Sequence, residues 1–262
     1  MSLVHADGFV YDNLSSEMFG LMMAYSESQE QFNTGLSLDV SQGETNFERY
    51  RPNYYGAKYK TQSLGYSFQI YKKDKTPFTI EESRAINRWL SQKEFKPLTF
   101  NDTKFGSNYV YYAIFTEIVD MVYDGINGKQ LTFVCDSSYA YTPTVNKSFH
   151  VKDSFIYLFN SSDEEAFYPT FEIKPCGTDI VITNETDNGN SMFISKEFQG
   201  AINCELMMPM INNKIVPLSK LGWKDNDKLY WLKLLYGKNK LIFSGECDIT
   251  FKLSFPRKVG LV

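Results

Sequence analysis

From about Pro143 onward the chain repeats one pattern: a short apolar–polar alternation, a turn built on Gly or Asn, then alternation again. The segment CDITFKLSF shows it most plainly. Cys247, Ile249, Phe251, Leu253 and Phe255 fall on one side of an extended chain, and Asp248, Thr250, Lys252 and Ser254 fall on the other. Strand side chains alternate with period two, so such a segment buries one face and wets the other. The same reading predicts strands at Phe155–Phe159, Phe171–Lys174, Asp179–Thr183, Ser191–Ser195, Ala201–Met208, Lys214–Val216, Tyr230–Leu235 and Leu241–Ser244. Turn clusters at Asn184–Asn190, Asn212–Asn213, Gly237–Asn239 and Gly245 separate them. Many short strands with one apolar face each need a second layer to cover that face, so the pattern predicts an antiparallel β-sandwich.

The first half is also mainly β, with strands predicted at Gly8–Tyr11, Gly35–Val40, Leu64–Tyr71 and Pro97–Phe100. Tyr109–Val122 and Lys129–Cys135 read as a strand pair around YDGINGK, where Asp-Gly and Asn-Gly favour the positive φ of a hairpin loop. One segment breaks the pattern. In TIEESRAINRWL, Thr79 and Glu82 have the spacing of a capping box, and Ile86, Trp89 and Leu90 form a stripe at i, i+3 and i+4. These features predict a single α-helix over about 79–91, ended before Pro97. The stretch SQGETNFERYRPNYYGAKYKTQ, from Ser41 to Gln62, is charged, Tyr-rich and nearly free of aliphatic residues. A strand pair of that composition has little to bury within its own domain, so its tyrosines are expected to pack on something else. The mixed, turn-prone DSSYAYTPTVNKSF marks the boundary, giving domains 1–141 and 142–262.

Signals for chemistry are sparse. The formal charge of −4 and pI near 5.4 speak against nucleic-acid binding, which needs concentrated Lys and Arg. The one basic run, Lys72-Lys73-Asp74-Lys75, reads as a solvated loop. No apolar run approaches the roughly 18–20 residues that span a bilayer, and no secretory leader is visible, which predicts free, buried thiols at Cys135, Cys176, Cys204 and Cys247. On the same ground the glycosylation sequons at Asn146 and Asn184 read as chance matches. The two histidines, His5 and His150, lie at the terminus and near the proposed linker, and neither is set up as part of a catalytic triad. No Cys/His cluster suits zinc, no glycine-rich loop suits a nucleotide, and Asp163-Glu164-Glu165 reads as a solvated turn. No catalytic, cofactor-binding or metal-binding residue is assigned. A second reading is a sugar-binding module, with Trp223 as an exposed stacking ring and Trp231, in WLKLL, as a packing residue.

Several segments in order resemble the distal tail proteins of long non-contractile-tailed (siphovirus-type) bacteriophages, especially those of Gram-positive hosts. They are GFVYDNLSSEMFGL, the Tyr-rich insertion, the helix ending in Trp89-Leu90, Pro97-Leu98-Thr99-Phe100, YYAIF, GKQLTFVCDSSYAY, FEIKPCGTDIVITNET and WLKLLYGKNKLIFSGECDITFKLSF. The resemblance implies two β-sandwich domains, the first carrying the helix and a long hairpin extension and forming a homo-hexameric ring, the second galectin-like. It implies a structural virion protein at the tail tip, made in the host bacterial cytoplasm, with no enzymatic activity and no membrane insertion. Its partners would be other copies of itself, the tail tube protein, a tail-tip protein and a receptor-binding protein, with DNA only passing through the lumen. The hairpin arm maps to Gln42–Gln62, and Arg49, Tyr50, Arg51, Tyr54, Tyr55, Lys58 and Tyr59 are the candidate assembly interface.

Overall fold

The computed structural model describes residues 6–24, 38–43, 53–59, 64–102, 109–123, 125–223 and 229–258. Two compact units result: one runs through Thr142 and also takes in Arg257, and the other is Pro143–Pro256.

In chain order the first unit contains β1 (Ala6–Tyr11), β2 (Leu14–Ser15), β3 (Leu21–Ala24), β4 (Leu38–Gly43), β5 (Asn53–Tyr59), β6 (Gly65–Lys72), α1 (Ile80–Leu90), β7 (Lys96–Asp102), β8 (Tyr111–Tyr123), β9 (Ile126–Cys135) and β10 (Ala140–Tyr141). Seven strands form one antiparallel sheet in the order β2-β1-β7-β8-β9-β6-β3. Four strand spacings separate β1 from β6, roughly 19 Å on a flat sheet. Yet Phe9 of β1 and Phe68 of β6 meet edge to face with ring centroids 5.3 Å apart. The sheet therefore rolls over on itself and encloses the buried rings of Phe9, Phe68, Phe100, Phe115 and Phe133. A bulge between Phe115 and Glu117 of β8 supplies local twist for the roll.

Helix α1 begins with the capping box read from the sequence. The Glu82 amide donates to Thr79 Oγ1 at 3.2 Å, and the Thr79 amide donates to Glu82 Oε2 at 2.8 Å. Lys72 Nζ donates to the other carboxylate oxygen at 2.9 Å, so this lysine lies in β6 and anchors the helix start instead of belonging to a solvated loop. Ile86, Trp89 and Leu90 are buried. The Trp89 indole stacks against Phe9 and Phe19, with centroids 5.3 and 4.7 Å away, and its Nε1 donates to the Tyr11 carbonyl at 2.9 Å. The helix thus packs a large ring on the aromatic core and satisfies its polar edge, which is how a buried Trp is accommodated. No helix among the described residues is long and apolar enough to cross a membrane.

The second unit contains β11 (Val145–Lys152), β12 (Phe155–Asn160), β13 (Ala166–Phe167), β14 (Thr170–Pro175), β15 (Ile180–Asn184), β16 (Asn190–Ile194), β17 (Gly200–Asn203), β18 (Met208–Ile211), β19 (Lys214–Ile215), β20 (Leu234–Leu235), β21 (Gly237–Ser244) and β22 (Glu246–Leu253). A six-stranded sheet, β11-β22-β14-β17-β18-β19, and a four-stranded sheet, β12-β21-β15-β16, make the sandwich. Ile156, Leu158, Ile182 and Phe243 from the smaller sheet share one core with Phe171, Ile173, Ile249 and Phe251 from the larger.

Two predicted strands are interrupted. Ala201–Met208 breaks into β17 and β18, because Met207 takes φ 57° and Asn203 Oδ1 accepts from the Leu206 amide at 3.0 Å, closing a turn. Of Tyr230–Leu235 only Leu234–Leu235 is a strand, paired with β13. Buried asparagine side chains bond the main chain of residues 233–235. Asn160 Nδ2 donates to the Leu234 carbonyl (2.9 Å) and Asn184 Nδ2 to the Lys233 carbonyl (2.7 Å). Asn239 accepts from the Leu235 amide (2.9 Å) and donates to its carbonyl (2.7 Å). Amide side chains present a donor and an acceptor together, so they substitute for a neighbouring strand.

Candidate functional site

Strands β4 and β5 form a ladder of their own, running from Leu38↔Tyr59 to Gly43↔Asn53. Ser41 pairs with Gly56 and Gln42 with Tyr54, which leaves Tyr55 as an extra residue in a bulge, with Gly56 at φ 126°. The Tyr55 ring lies across Gly43: a Cβ at that position would sit 2.5 Å from its Oη. None of the arm's described side chains is buried, and Tyr54 and Tyr55 are 65 and 70% exposed. An isolated two-stranded ribbon is marginally stable at best, and exposed tyrosines contribute contact area at low entropic cost. This arrangement suits docking onto another surface.

Of the residues named from sequence, the structure places Tyr54 and Tyr55 together on the arm. Lys58 and Tyr59 are placed by their main chain only, opposite Asp39 and Leu38. Arg49, Tyr50 and Arg51 lie outside the described residues. The first unit has a second exposed apolar stretch that sequence reasoning missed. Strand β7 pairs with β8 only from Tyr111 to Ala113, so the β8–β9 hairpin continues beyond β7 and exposes Val119 and Val122. The 14-residue length of the Tyr109–Val122 pattern was the available signal.

Trp223 is not the exposed ring expected from its loop-like context. It is 9% exposed, its Nε1 donates to the Phe193 carbonyl at 2.9 Å, and its ring meets that of Trp231 edge-on with centroids 4.9 Å apart. Gly222, at φ 84° after the 3-10 helix Leu218–Leu221, takes a left-handed conformation that turns the chain just before the indole. Both rings are packed in the core, so Trp223 offers no exposed face on which a sugar ring could stack.

His150 stands on the outer side of β11, with Nδ1 2.8 Å from Asp248 Oδ1 and Nε2 3.6 Å from Glu246 Oε1. Its neighbours are further cross-strand rungs: Ser148 with Thr250, Lys152 with Glu246 and Lys252 with Glu172. His5 lies outside the described residues. Asp163 and Glu165 are exposed in a turn, and among the described residues no three His, Cys, Asp or Glu side chains group as a metal site. The four thiols are free; Cys135, Cys204 and Cys247 are buried, while Cys176 is exposed, against expectation, because it falls just past the end of β14. Burial pushes the Cys135 and Cys247 thiols up to about 12, which leaves them protonated and unreactive at neutral pH.

A family model described as phage tail protein N-terminal domain matches residues 4–137. Among solved structures, the chain is similar to the Dit protein of phage SPP1, described as a paradigm of the hub adsorption apparatus in phages infecting Gram-positive hosts. The TM-score is 0.62 at 15% identity, covering 95% of this chain and 98% of that one. No curated protein matches the sequence.

Proposed function

The chain belongs to the phage tail protein N-terminal domain family, and from that premise we propose that it is a distal tail protein of a siphovirus-type phage or prophage, a structural component of the hub at the tail tip. The observation that carries the reading is the arm: a ribbon that pairs with no other strand among the described residues, with Tyr54 and Tyr55 turned outward. A protruding element on one side of a subunit and a receiving surface on another give a heterologous contact, which closes into a ring when the rotation allows. The arm is the protruding element, and the β8–β9 hairpin with Val119 and Val122 is the receiving candidate. The product is a homo-hexameric ring whose lumen passes DNA. Its ends meet the tail tube on one side and the tail-tip and receptor-binding proteins on the other. The protein is made in the host cytoplasm and works by assembly geometry, not by a reaction.

Size-exclusion chromatography with light scattering, supported by electron microscopy, tests this directly. The full chain should form rings, and deletion of Glu44–Thr61 should abolish them while leaving a folded monomer. Rings that survive the deletion would show that the arm is not the interface.

A further inference from the structure

Strand β12 buries Ile156, Leu158 and Asn160 and turns Phe155, Tyr157 and Phe159 to solvent, 50, 48 and 54% exposed. The wet side of a half-buried strand ordinarily carries polar residues, but here three rings occupy it. Phe155 and Tyr157 meet edge to face with centroids 5.4 Å apart, and Ile242, opposite Phe155 on β21, adds exposed aliphatic surface. Contiguous exposed apolar surface of this kind marks an interaction site.

The main chain at the same three residues is also open. β12 is an outermost strand of its sheet. The Phe243 amide donates to the Ser154 carbonyl at 2.8 Å, which sets the phase of the ladder. Ser154, Ile156, Leu158 and Asn160 therefore turn their main-chain groups toward β21, and Phe155, Tyr157 and Phe159 turn theirs to the open side. Nothing among the described residues pairs with them there.

The charge beside the rings indicates what could cover them. Lys238 Nζ sits 3.7 Å from the Tyr157 ring centroid. Nearby Lys240 is paired with Glu185 at 2.6 Å, whereas Lys238 has no carboxylate partner among the described residues. Covering the rings also strips water from this ammonium, which is unfavourable unless the occupant brings the opposite charge. A second copy in a twofold contact would bring the same lysine. Sugar rings would find no flat platform, because Phe155 and Tyr157 are inclined at 70°.

We propose that β12 is a docking edge for an extended acidic segment of another polypeptide. The segment adds as a strand beside β12, lays apolar side chains against Phe155, Tyr157 and Phe159, and sets a carboxylate against Lys238. This docking requires neither the arm nor a ring, so its failure and the failure of the assembly reading can be told apart.

The test is titration calorimetry on the full chain with two synthetic peptides whose alternate positions, sharing one face of a strand, carry Val and one charged residue with Thr between them, the charged residue being Glu in the Val–Glu peptide and Lys in the Val–Lys peptide. The Val–Glu peptide should bind, and the Val–Lys peptide should bind roughly tenfold more weakly or worse. Lys238→Glu should reverse that preference. Tyr157→Ser should weaken Val–Glu binding by roughly tenfold or more, with an unchanged thermal melt showing that the fold is intact. Equal affinity for the two peptides, no binding of Val–Glu, or indifference to both substitutions would overturn the proposal. So would self-association lost in Tyr157→Ser, which would assign the edge to a second copy. Binding of purified wall glycan lost in the same variant would assign it to a saccharide.

Discussion

The two outer faces of the Pro143–Pro256 sandwich stand on one shared core yet carry opposite chemistry. On the six-stranded sheet the outward positions form polar rungs: Ser148–Thr250, His150–Asp248, Lys152–Glu246 and Lys252–Glu172. On the four-stranded sheet the edge strand shows Phe155, Tyr157 and Phe159. The first face satisfies itself within the chain, and the second has apolar surface left over. Burial of the inner face decides that a strand forms; the outer face is free to record what the strand meets.

Cutting into the common floor should cost most and should not distinguish the faces. Phe251→Ala beneath the polar sheet is expected to destabilise the unit by about 3–5 kcal/mol, and Leu158→Ala beneath the aromatic one by about 2–5 kcal/mol, read by urea unfolding. A cost near zero for either would mean that its side chain is not part of the shared core. Next comes the asparagine network, which lies behind the aromatic sheet alone. Asn184→Leu leaves the Lys233 carbonyl and the Asn239 amide oxygen without that donor and should cost about 1–3 kcal/mol.

Acid should act on the same side. Asp187, buried in the turn between β15 and β16, loses solvation, which by itself would raise its pKa. Hydrogen bonds from Tyr230 (2.8 Å) and Asn190 (3.1 Å) and the Lys233 ammonium (3.2 Å) outweigh this and hold the carboxyl below its usual range. A depressed folded-state pKa contributes stability that is present above the unfolded value of about 3.9 and is lost as pH falls through the folded one. Thermal melts should therefore drop below about pH 4, and Asp187→Asn should flatten that part of the profile. The smallest effects belong to the faces themselves. Lys252→Ala should change stability by under about 1 kcal/mol, as for an exposed ion pair.

Much of the architecture was legible because burial writes itself into alternation. CDITFKLSF reads as β22, TIEESRAINRWL as α1 with its capping box, and Tyr109–Val122 and Lys129–Cys135 as the paired β8 and β9, although the Asn-Gly expected in the loop lies within β9. Only half of the arm was legible: β5 lies in the Tyr-rich stretch, whereas its partner β4 begins at Leu38, ahead of Gln42, and carries Leu38 and Val40. What escaped depends on contacts distant in sequence. Trp223 looked exposed because its neighbours are loop-like, whereas its partners Phe193 and Trp231 fix it inside. Tyr230–Leu235 looked like a strand from its apolar run, but only Leu234–Leu235 pairs as one, and asparagines elsewhere in the chain supply hydrogen bonds to residues 233–235. FIYLFN was visible as a strand, but its being apolar in both phases carried a surface message that alternation alone does not state.

The bulge in β8 has a consequence for how this chain can change. Before it, Tyr111, Ala113 and Phe115 point into the core; after it, Ile118 takes the inward phase, opposite Leu131. The strand is thus written in two reading phases with a one-residue splice between them. Deleting Thr116 would remove the splice and restore regular alternation, leaving Ile118 and the residues after it on their present faces. Closing the bulge without losing a residue, by a one-position slip against β9, would instead exchange the inner and outer chemistry of the hairpin tip.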